Sequence, residues 1–267
     1  MEKNAVNMKR IIKKWYEKLG FPTEYDEEFA RILQLCTLTP EYAEENWKDI
    51  ENPGEMLLAF LYRCESLRAR YEGLGIGEDI LLHTLSDLVI WTNTHYGLYG
   101  ELGLSETEWL DRHMKGELFR LGRLQFSPAT AKHPIPEADI REGDGVIEIH
   151  IPEGEPMTPD ACLDSIARAK EFFEKYFHGH RWSCYTCHSW LLDDTLLSFV
   201  TEGSNIAKFA GLFTVTEKEP SDAALKYIFR WDATRKDVQS LTAKSTLAKK
   251  SRTTCSPAAR FARQRVI

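Results

Sequence analysis

The sequence predicts an α+β protein in which an all-helical N-terminal domain precedes a mixed α/β C-terminal domain. In the first half, apolar residues recur at helical spacing, as at Ile12, Tyr16 and Leu19, and no long strand pattern interrupts them. Near residue 126 the residue pattern changes, and loops rich in Pro and Gly then separate strand patterns from helix patterns. We therefore expect two domains, residues 1–126 and residues 127–267.

The first half contains helices whose ends are marked by cap and stop residues. Gly20-Phe21-Pro22 ends the first helix, and Thr39 before Pro40 is typical of an N-cap followed by a first-turn proline. Ser105 with Glu108 matches a capping box. Two longer segments have apolar faces, formed by Met56, Leu57, Phe60, Leu61, Cys64 and Leu67, and by Ile80, Leu81, Leu85, Leu88, Val89 and Trp91.

One strand of the second half carries two residues that could do acid–base chemistry. In Val146–Ile151 a period of two places Ile147 and Ile149 on one face and Glu148 and His150 on the other. A general base and a helper residue at this spacing could reach one cleft. The alternative is the polar face of an ordinary amphipathic strand.

The rest of the second half alternates between helix and strand signals. The predicted elements are a helix opened by Thr158-Pro159, a strand over 181–190, a short helix capped by Asp193 and running through Phe199, a short element opened by Ser204-Asn205, and a strand over 212–216. This order favours a layered α/β arrangement.

Cys184, Cys187 and His188 match the C-x-x-C-H signature of c-type haem attachment. A strand over 181–190, however, places the two cysteines on opposite faces, because their separation is odd. A structural zinc site would need a second pair of ligands, and the sequence has no second C-x-x-C. We therefore expect no metal and interpret these cysteines as small buried hydrophobic residues.

Charge is distributed unevenly along the chain, whose formal net charge is −7. Residues 221–267 carry a net charge of +8, which is typical of nucleic-acid binding. Residues 251–267 nevertheless lack an apolar period, and a shifted reading frame near Lys250 of the back-translated sequence restores a helix followed by Gly-Gly. Our hypothesis is that this atypical tail is a frameshift product, disordered or loosely packed, and that nucleic acid is not a partner.

The sequence also indicates where the protein works. No apolar run approaches the roughly 20 residues that a membrane span requires. Charged residues such as Lys9, Arg10 and Lys13 interrupt the N-terminus, which argues against a secretory signal. We expect a cytoplasmic protein that acts on a small molecule and not at a membrane.

Three sequence blocks, taken together, resemble a bacterial family of acyltransferase domain-containing proteins. In that family an N-acyltransferase-type helical domain precedes a GNAT-like domain. The blocks are Leu118–Phe126; His150–Gly154 with Ala161-Cys162, Ser165 and the aromatic run Phe172 to Phe177; and Cys187–Asp193 with Ser204–Ile206 and Phe209.

The resemblance implies a GNAT-like C-terminal fold and acyl transfer from acetyl-coenzyme A, or another acyl-coenzyme A, to a small amine. Glu148 or His150 would then be the general base. The loop over residues 153–159 would hold the pyrophosphate. The implied cofactor-binding residues are Gly154, Thr158 and Asp160, and the implied substrate-pocket residues are Ser189, Trp190, Ser204 and Asn205.

The loop departs from the family pattern in a way that leaves a second function open. The Gln/Arg-x-x-Gly-x-Gly/Ala run is missing, Glu153 and Glu155 would repel a pyrophosphate, and Pro156 and Pro159 each lack a backbone donor. The alternative is a non-catalytic small-molecule-binding or sensing protein on a GNAT-like fold. The four pocket residues could equally be structural, as helix caps and as core.

Overall fold

The computed structural model describes residues 2–198, 200–221, 223–229, 231–234, 236, 240 and 261–266. The chain divides into two compact units, Met1–Arg120 and Leu121–Ile267. The boundary expected after residue 126 lies a few residues inside the second unit, within a strand.

The first unit is helical. Its helices are α1 (Glu2–Leu19), α2 (Asp26–Leu35), α3 (Pro40–Glu45), α4 (Pro53–Leu74), α5 (Glu78–Tyr99) and α6 (Thr107–Met114). The core is built around the buried face of α4, where Leu57, Leu58 and Phe60 have no exposed surface. Burial of these apolar faces, rather than the helix propensity of any one segment, stabilises the unit.

Cap residues fix the ends of these helices largely as predicted. Gly20 ends α1 with a positive φ of 67°, and the Thr39 side chain accepts a hydrogen bond from the backbone N–H of Tyr42 at the start of α3. The capping box predicted at Ser105 is wrong. Helix α6 begins at Thr107, and the Ser105 hydroxyl lies 2.6 Å from Nδ1 of His95 instead.

A six-stranded sheet organises the second unit, in the order β1-β2-β3-β4-β6-β5. The strands are β1 (Phe119–Leu121), β2 (Leu124–Thr130), β3 (Gly145–His150), β4 (Tyr185–Ser189), β5 (Val215–Ser221) and β6 (Phe261–Val266). Strands β3 and β4 are parallel, whereas the β2–β3, β4–β6 and β5–β6 pairs are antiparallel.

The helices of this unit are α7 (Pro159–Tyr176), α8 (Asp194–Leu197), α9 (Asn205–Ala210) and α10 (Ala223–Ile228). Helix α7 is the crossover between the parallel strands β3 and β4. Its N-cap is Thr158, whose side chain accepts from the N–H of Ala161, as the sequence predicts. The Tyr185 hydroxyl donates to the carbonyl of Ile166, which identifies the sheet face that carries Tyr185 as the face toward α7.

Several sequence predictions for this unit need correction. The strand predicted over 181–190 is shorter, and the Leu118–Phe126 block, assigned to the helical half, contains β1 and the start of β2. The expectation of a disordered or loosely packed tail is wrong for Phe261–Val266, because β6 pairs with both β4 and β5. Phe199 and residues 251–260 lie outside the described residues, and the frameshift hypothesis stays a prediction.

No helix in the described ranges is both long enough and apolar enough to cross a bilayer.

Candidate functional site

Polar side chains from three neighbouring strands share one face of the sheet. Residues opposite one another in paired strands project to the same face, and the register pairs Gln125 with His150 and Ser127 with Glu148. Glu148 in turn pairs with Thr186 on β4, two residues before His188. The apolar partners Phe126, Ile149 and Cys187 occupy the other face, toward α7. The predicted placement of Glu148 and His150 on one face is confirmed.

His150 is the centre of this polar face. Its Nε2 atom lies 3.0 Å from Oγ of Ser127 and 3.4 Å from Oε2 of Glu148. The side chains of His150 and Glu148 remain 18% and 32% exposed, so both are partly accessible to solvent. An imidazole in this position can accept a proton, and the neighbouring carboxylate stabilises the imidazolium that forms.

Ser127 was missed by the sequence interpretation, which placed loops rich in Pro and Gly directly after residue 126. The residue lies within β2, is fully buried and pairs across the ladder with Glu148. Proline at the next position opposed a strand assignment. The available signal was the alternation of Leu124, Phe126 and Pro128 with Gln125 and Ser127.

The two parallel strands stop pairing at the level of His150. The β3–β4 ladder ends at Ile149 and Cys187, whereas β4 continues to pair with β6 through His188 and Ser189. At the same level the chain leaves β3 and enters the loop that precedes α7. The polar face therefore reaches its end where the two strands part.

The loop after β3 is exposed at its tip and buried at both ends. Pro152 and Met157 are buried, and residues 153–156 are exposed. Among the described residues, no backbone carbonyl accepts from the N–H groups of Glu153, Gly154 or Glu155. Gly154 has a φ of 133°, which an L-residue with a side chain rarely adopts.

The three predicted cofactor-binding residues lie along this loop and in the first turn of α7. Gly154 is at the exposed tip, Asp160 is in the first turn of the helix, and Thr158 is its N-cap. The start of an eighteen-residue helix favours anions, because its first N–H groups and its dipole point toward them. The three residues are close in sequence but do not touch the polar face around His150 by any described contact.

Three of the four predicted pocket residues, Ser189, Trp190 and Ser204, have structural partners. The Ser189 hydroxyl accepts from the N–H of Leu191, and the Ser204 hydroxyl accepts from the N–H of Ala207. Trp190 stacks on Tyr227 at a centroid distance of 5.6 Å and packs against α10. Asn205 is the first residue of α9 and is half-buried. A substrate-pocket role for these residues stays a prediction.

The cysteines of the C-x-x-C-H segment lie on opposite faces of the sheet, as their spacing predicts. Cys184 packs with Val146 in an apolar cluster, whereas Cys187 is opposite Ile149 on the face toward α7. Burial raises the pKa of the Cys187 thiol well above its usual range, and the nearby Glu148 carboxylate adds to the shift. Within the described ranges, no group of three or more His, Cys, Asp or Glu side chains could hold a metal ion.

Both halves of the chain match known protein families. Residues 8–116 match the N-acyltransferase N-terminal domain, and residues 118–262 match the GNAT-like C-terminal domain. The predicted fold class is thereby confirmed. A comparison with curated protein sequences returned no significant match.

Solved structures of acyltransferases resemble this chain over most of its length. One, crystallised with decanoyl-CoA and teicoplanin, is 25% identical, with a TM-score of 0.77. Another, crystallised with decanoyl-CoA, is 27% identical, with a TM-score of 0.75. Each alignment covers 95% of this chain and 86% of the other.

Proposed function

We propose, from the premise that the chain belongs to the family in which an N-acyltransferase N-terminal domain precedes a GNAT-like C-terminal domain, that it transfers an acyl group from acyl-coenzyme A to an amine. The observation that carries the proposal is the position of His150. This side chain, with Ser127 and Glu148 beside it, lies where β3 and β4 part and where the loop to α7 begins.

The proposed reaction needs one group to take a proton and one opening to admit the thioester. Nε2 of His150 accepts the proton of the acceptor amine, whose nitrogen attacks the thioester carbonyl carbon. The C–S bond breaks, the acyl group forms an amide, and the coenzyme A thiolate leaves and takes up the proton that His150 accepted. Glu148 stabilises the positive charge that forms on His150.

The loop over residues 151–158 fits a phosphate-bearing donor better than its sequence suggests. Its Glu153, Gly154 and Glu155 N–H groups make no described backbone hydrogen bond, so they are available to an anion. The long helix α7 begins directly after the loop. These features support acetyl-coenzyme A or a longer acyl-coenzyme A as the donor, despite the missing Gln/Arg-x-x-Gly-x-Gly/Ala run.

The acceptor is an amine on a small molecule in the simplest form of the proposal. A larger acceptor is the second candidate, because one similar acyltransferase was crystallised with the glycopeptide teicoplanin as well as decanoyl-CoA. A panel of small primary amines and amine-bearing glycopeptides separates the two candidates.

The proposal is tested by binding and by turnover. Isothermal titration with acetyl-CoA, decanoyl-CoA and free coenzyme A should give saturable heat, and thiol release from the acyl donors should depend on an added amine. Saturable binding without amine-dependent thiol release would favour the non-catalytic binding or sensing protein. No heat and no thermal shift at millimolar donor would refute the proposal.

A further inference from the structure

We infer that Arg123 is the positioning residue for the loop that takes the phosphates of the acyl donor. The inference rests on the proposed function, because it assigns a role within the same site. The Gly122-Arg123 turn and Ser165 belong to the sequence blocks that resemble the family. The acid–base chemistry at His150 gives them no role, and this inference does.

Arg123 connects the turn between β1 and β2 to both ends of the exposed loop tip. Its Nε atom donates to the carbonyl of Glu155 at 2.6 Å, and its Nη1 atom donates to the carbonyl of Pro152 at 2.9 Å. The residue is only 8% exposed. A planar guanidinium can hold two acceptors in a fixed geometry, which a flexible ammonium cannot.

The hydrogen bond to the Pro152 carbonyl also determines where the loop presents one of its donors. In a trans peptide the N–H points away from the carbonyl of the preceding residue. With the Pro152 carbonyl turned toward the guanidinium, the N–H of Glu153 therefore points away from Arg123. The Glu155 carbonyl precedes Pro156, which has no N–H to direct.

The buried charge of Arg123 acts on the same region. Burial raises the pKa of the Cys162 thiol in the first turn of α7, and the charge of Arg123 opposes that shift. The field of the guanidinium therefore reaches the start of the helix. A cation beneath the loop offsets the carboxylates of Glu153 and Glu155, which would otherwise repel phosphates.

Ser165 fixes the turn that carries Arg123 to the middle of α7. Its hydroxyl oxygen accepts from the backbone N–H of Arg123 at 2.6 Å and of Leu124 at 3.2 Å, and the residue is fully buried. Gly122 adopts a φ of 83°, and a Cβ atom there would lie 2.8 Å from the Ser165 oxygen. The turn is thus attached to the helix while its guanidinium holds the loop.

The test compares an acyl donor that carries the phosphates with one that lacks the phosphates together with the adenosine. Kinetics of Arg123→Met and Arg123→Lys are measured with decanoyl-CoA and with decanoyl-pantetheine, which has no pyrophosphate. For Arg123→Met we expect KM for decanoyl-CoA to rise about 10- to 100-fold, the scale of losing hydrogen bonds to a charged group, while KM for decanoyl-pantetheine changes little. Arg123→Lys should give a smaller rise, again confined to decanoyl-CoA.

Exposed Arg168 on α7, which pairs with Asp164, provides the matched control, and Arg168→Met should leave both KM values unchanged. If Arg123→Met does not fold, the KM values of Arg123→Lys with the two donors test the positioning role by themselves. Unchanged KM for decanoyl-CoA, or an equal rise with both donors, would overturn the positioning role and leave the proposed function standing. Failure of the wild-type protein to bind decanoyl-CoA would instead refute the proposed function itself.

Discussion

The two units of the chain place their buried polar groups in different surroundings. In the helical unit, the buried Asp111 accepts a hydrogen bond from Arg63 on α4 and lies 2.7 Å from Lys115, so its charge is matched by partners on the same bundle. In the sheet unit, His150 and Glu148 lie beside each other near the C-terminal end of β3, and both side chains are partly exposed. The first arrangement stabilises a fold, and the second leaves both groups partly exposed to solvent.

The loop that is held by Arg123 is a third case. Arg123 is as buried as Arg63, and it donates to two backbone carbonyls of the loop. Substitutions in the two units should therefore separate stability from activity.

The largest effect on activity is expected at His150, at the C-terminal end of β3. His150→Gln should lower kcat about 10²- to 10⁴-fold, the usual contribution of a general base, because the glutamine amide cannot accept the proton. Thiol release from decanoyl-CoA in the presence of an amine measures it. His178→Gln, at an exposed histidine of the same unit, is the control. A similar loss in both variants would contradict the assignment.

Breaking the buried ion pair of the helical unit should act on stability instead. Asp111→Ala leaves the guanidinium of Arg63 buried without its carboxylate and should cost about 3–5 kcal/mol of unfolding free energy in urea. Asp164→Ala, in an exposed pair with Arg168, should stay within about 0.5 kcal/mol. An equal cost for the two substitutions would show that burial is not what distinguishes them.

Glu65 makes the stability of the helical unit sensitive to acid. Burial opposes ionisation, but hydrogen bonds from Arg68, Lys14 and Trp15 lower the pKa of Glu65 from 4.5 to about 2. Since the folded pKa is the lower one, the stabilisation is present above pH 4.5 and is lost as pH falls toward 2.

Glu65→Gln should therefore remove about 1–3 kcal/mol at neutral pH and flatten the dependence of stability on pH in that window. Urea unfolding of both proteins at several pH values measures it. A parallel decline of the two proteins between pH 4.5 and 2 would refute the role of Glu65.

The smallest effect is expected at Ser127. Ser127→Ala removes one hydrogen bond from Nε2 of His150 and should cost about 1 kcal/mol, or a fewfold in kcat, with KM unchanged. The same thiol-release assay measures kcat and KM. A loss as large as that of His150→Gln would mean that Ser127 takes part in the proton transfer itself.

Local signals in the sequence were sufficient to predict features that lie within one strand or one helix. The alternation of Ile147 and Ile149 with Glu148 and His150 predicts the two faces of β3, and Thr158-Pro159 predicts the start of α7. Such features depend on neighbours a few residues away.

Features that depend on distant partners were not predicted. Ser127 joins the site only through antiparallel pairing with β3, and Arg123 reaches its loop across about 30 residues of sequence. Strand β6 is held by backbone pairing on both edges, and the tail sequence, which lacks an apolar period, does not indicate this pairing. Single-chain patterns carry no signal for these contacts.

Hydrogen–deuterium exchange with and without decanoyl-CoA tests whether the loop after β3 and the start of α7 bind the acyl donor, because it reports on backbone N–H groups of both units at once. We expect saturating decanoyl-CoA to slow exchange most strongly in peptides covering residues 151–161, and free coenzyme A to do the same. Strongest protection in peptides from residues 1–120, with residues 151–161 unchanged, would contradict it.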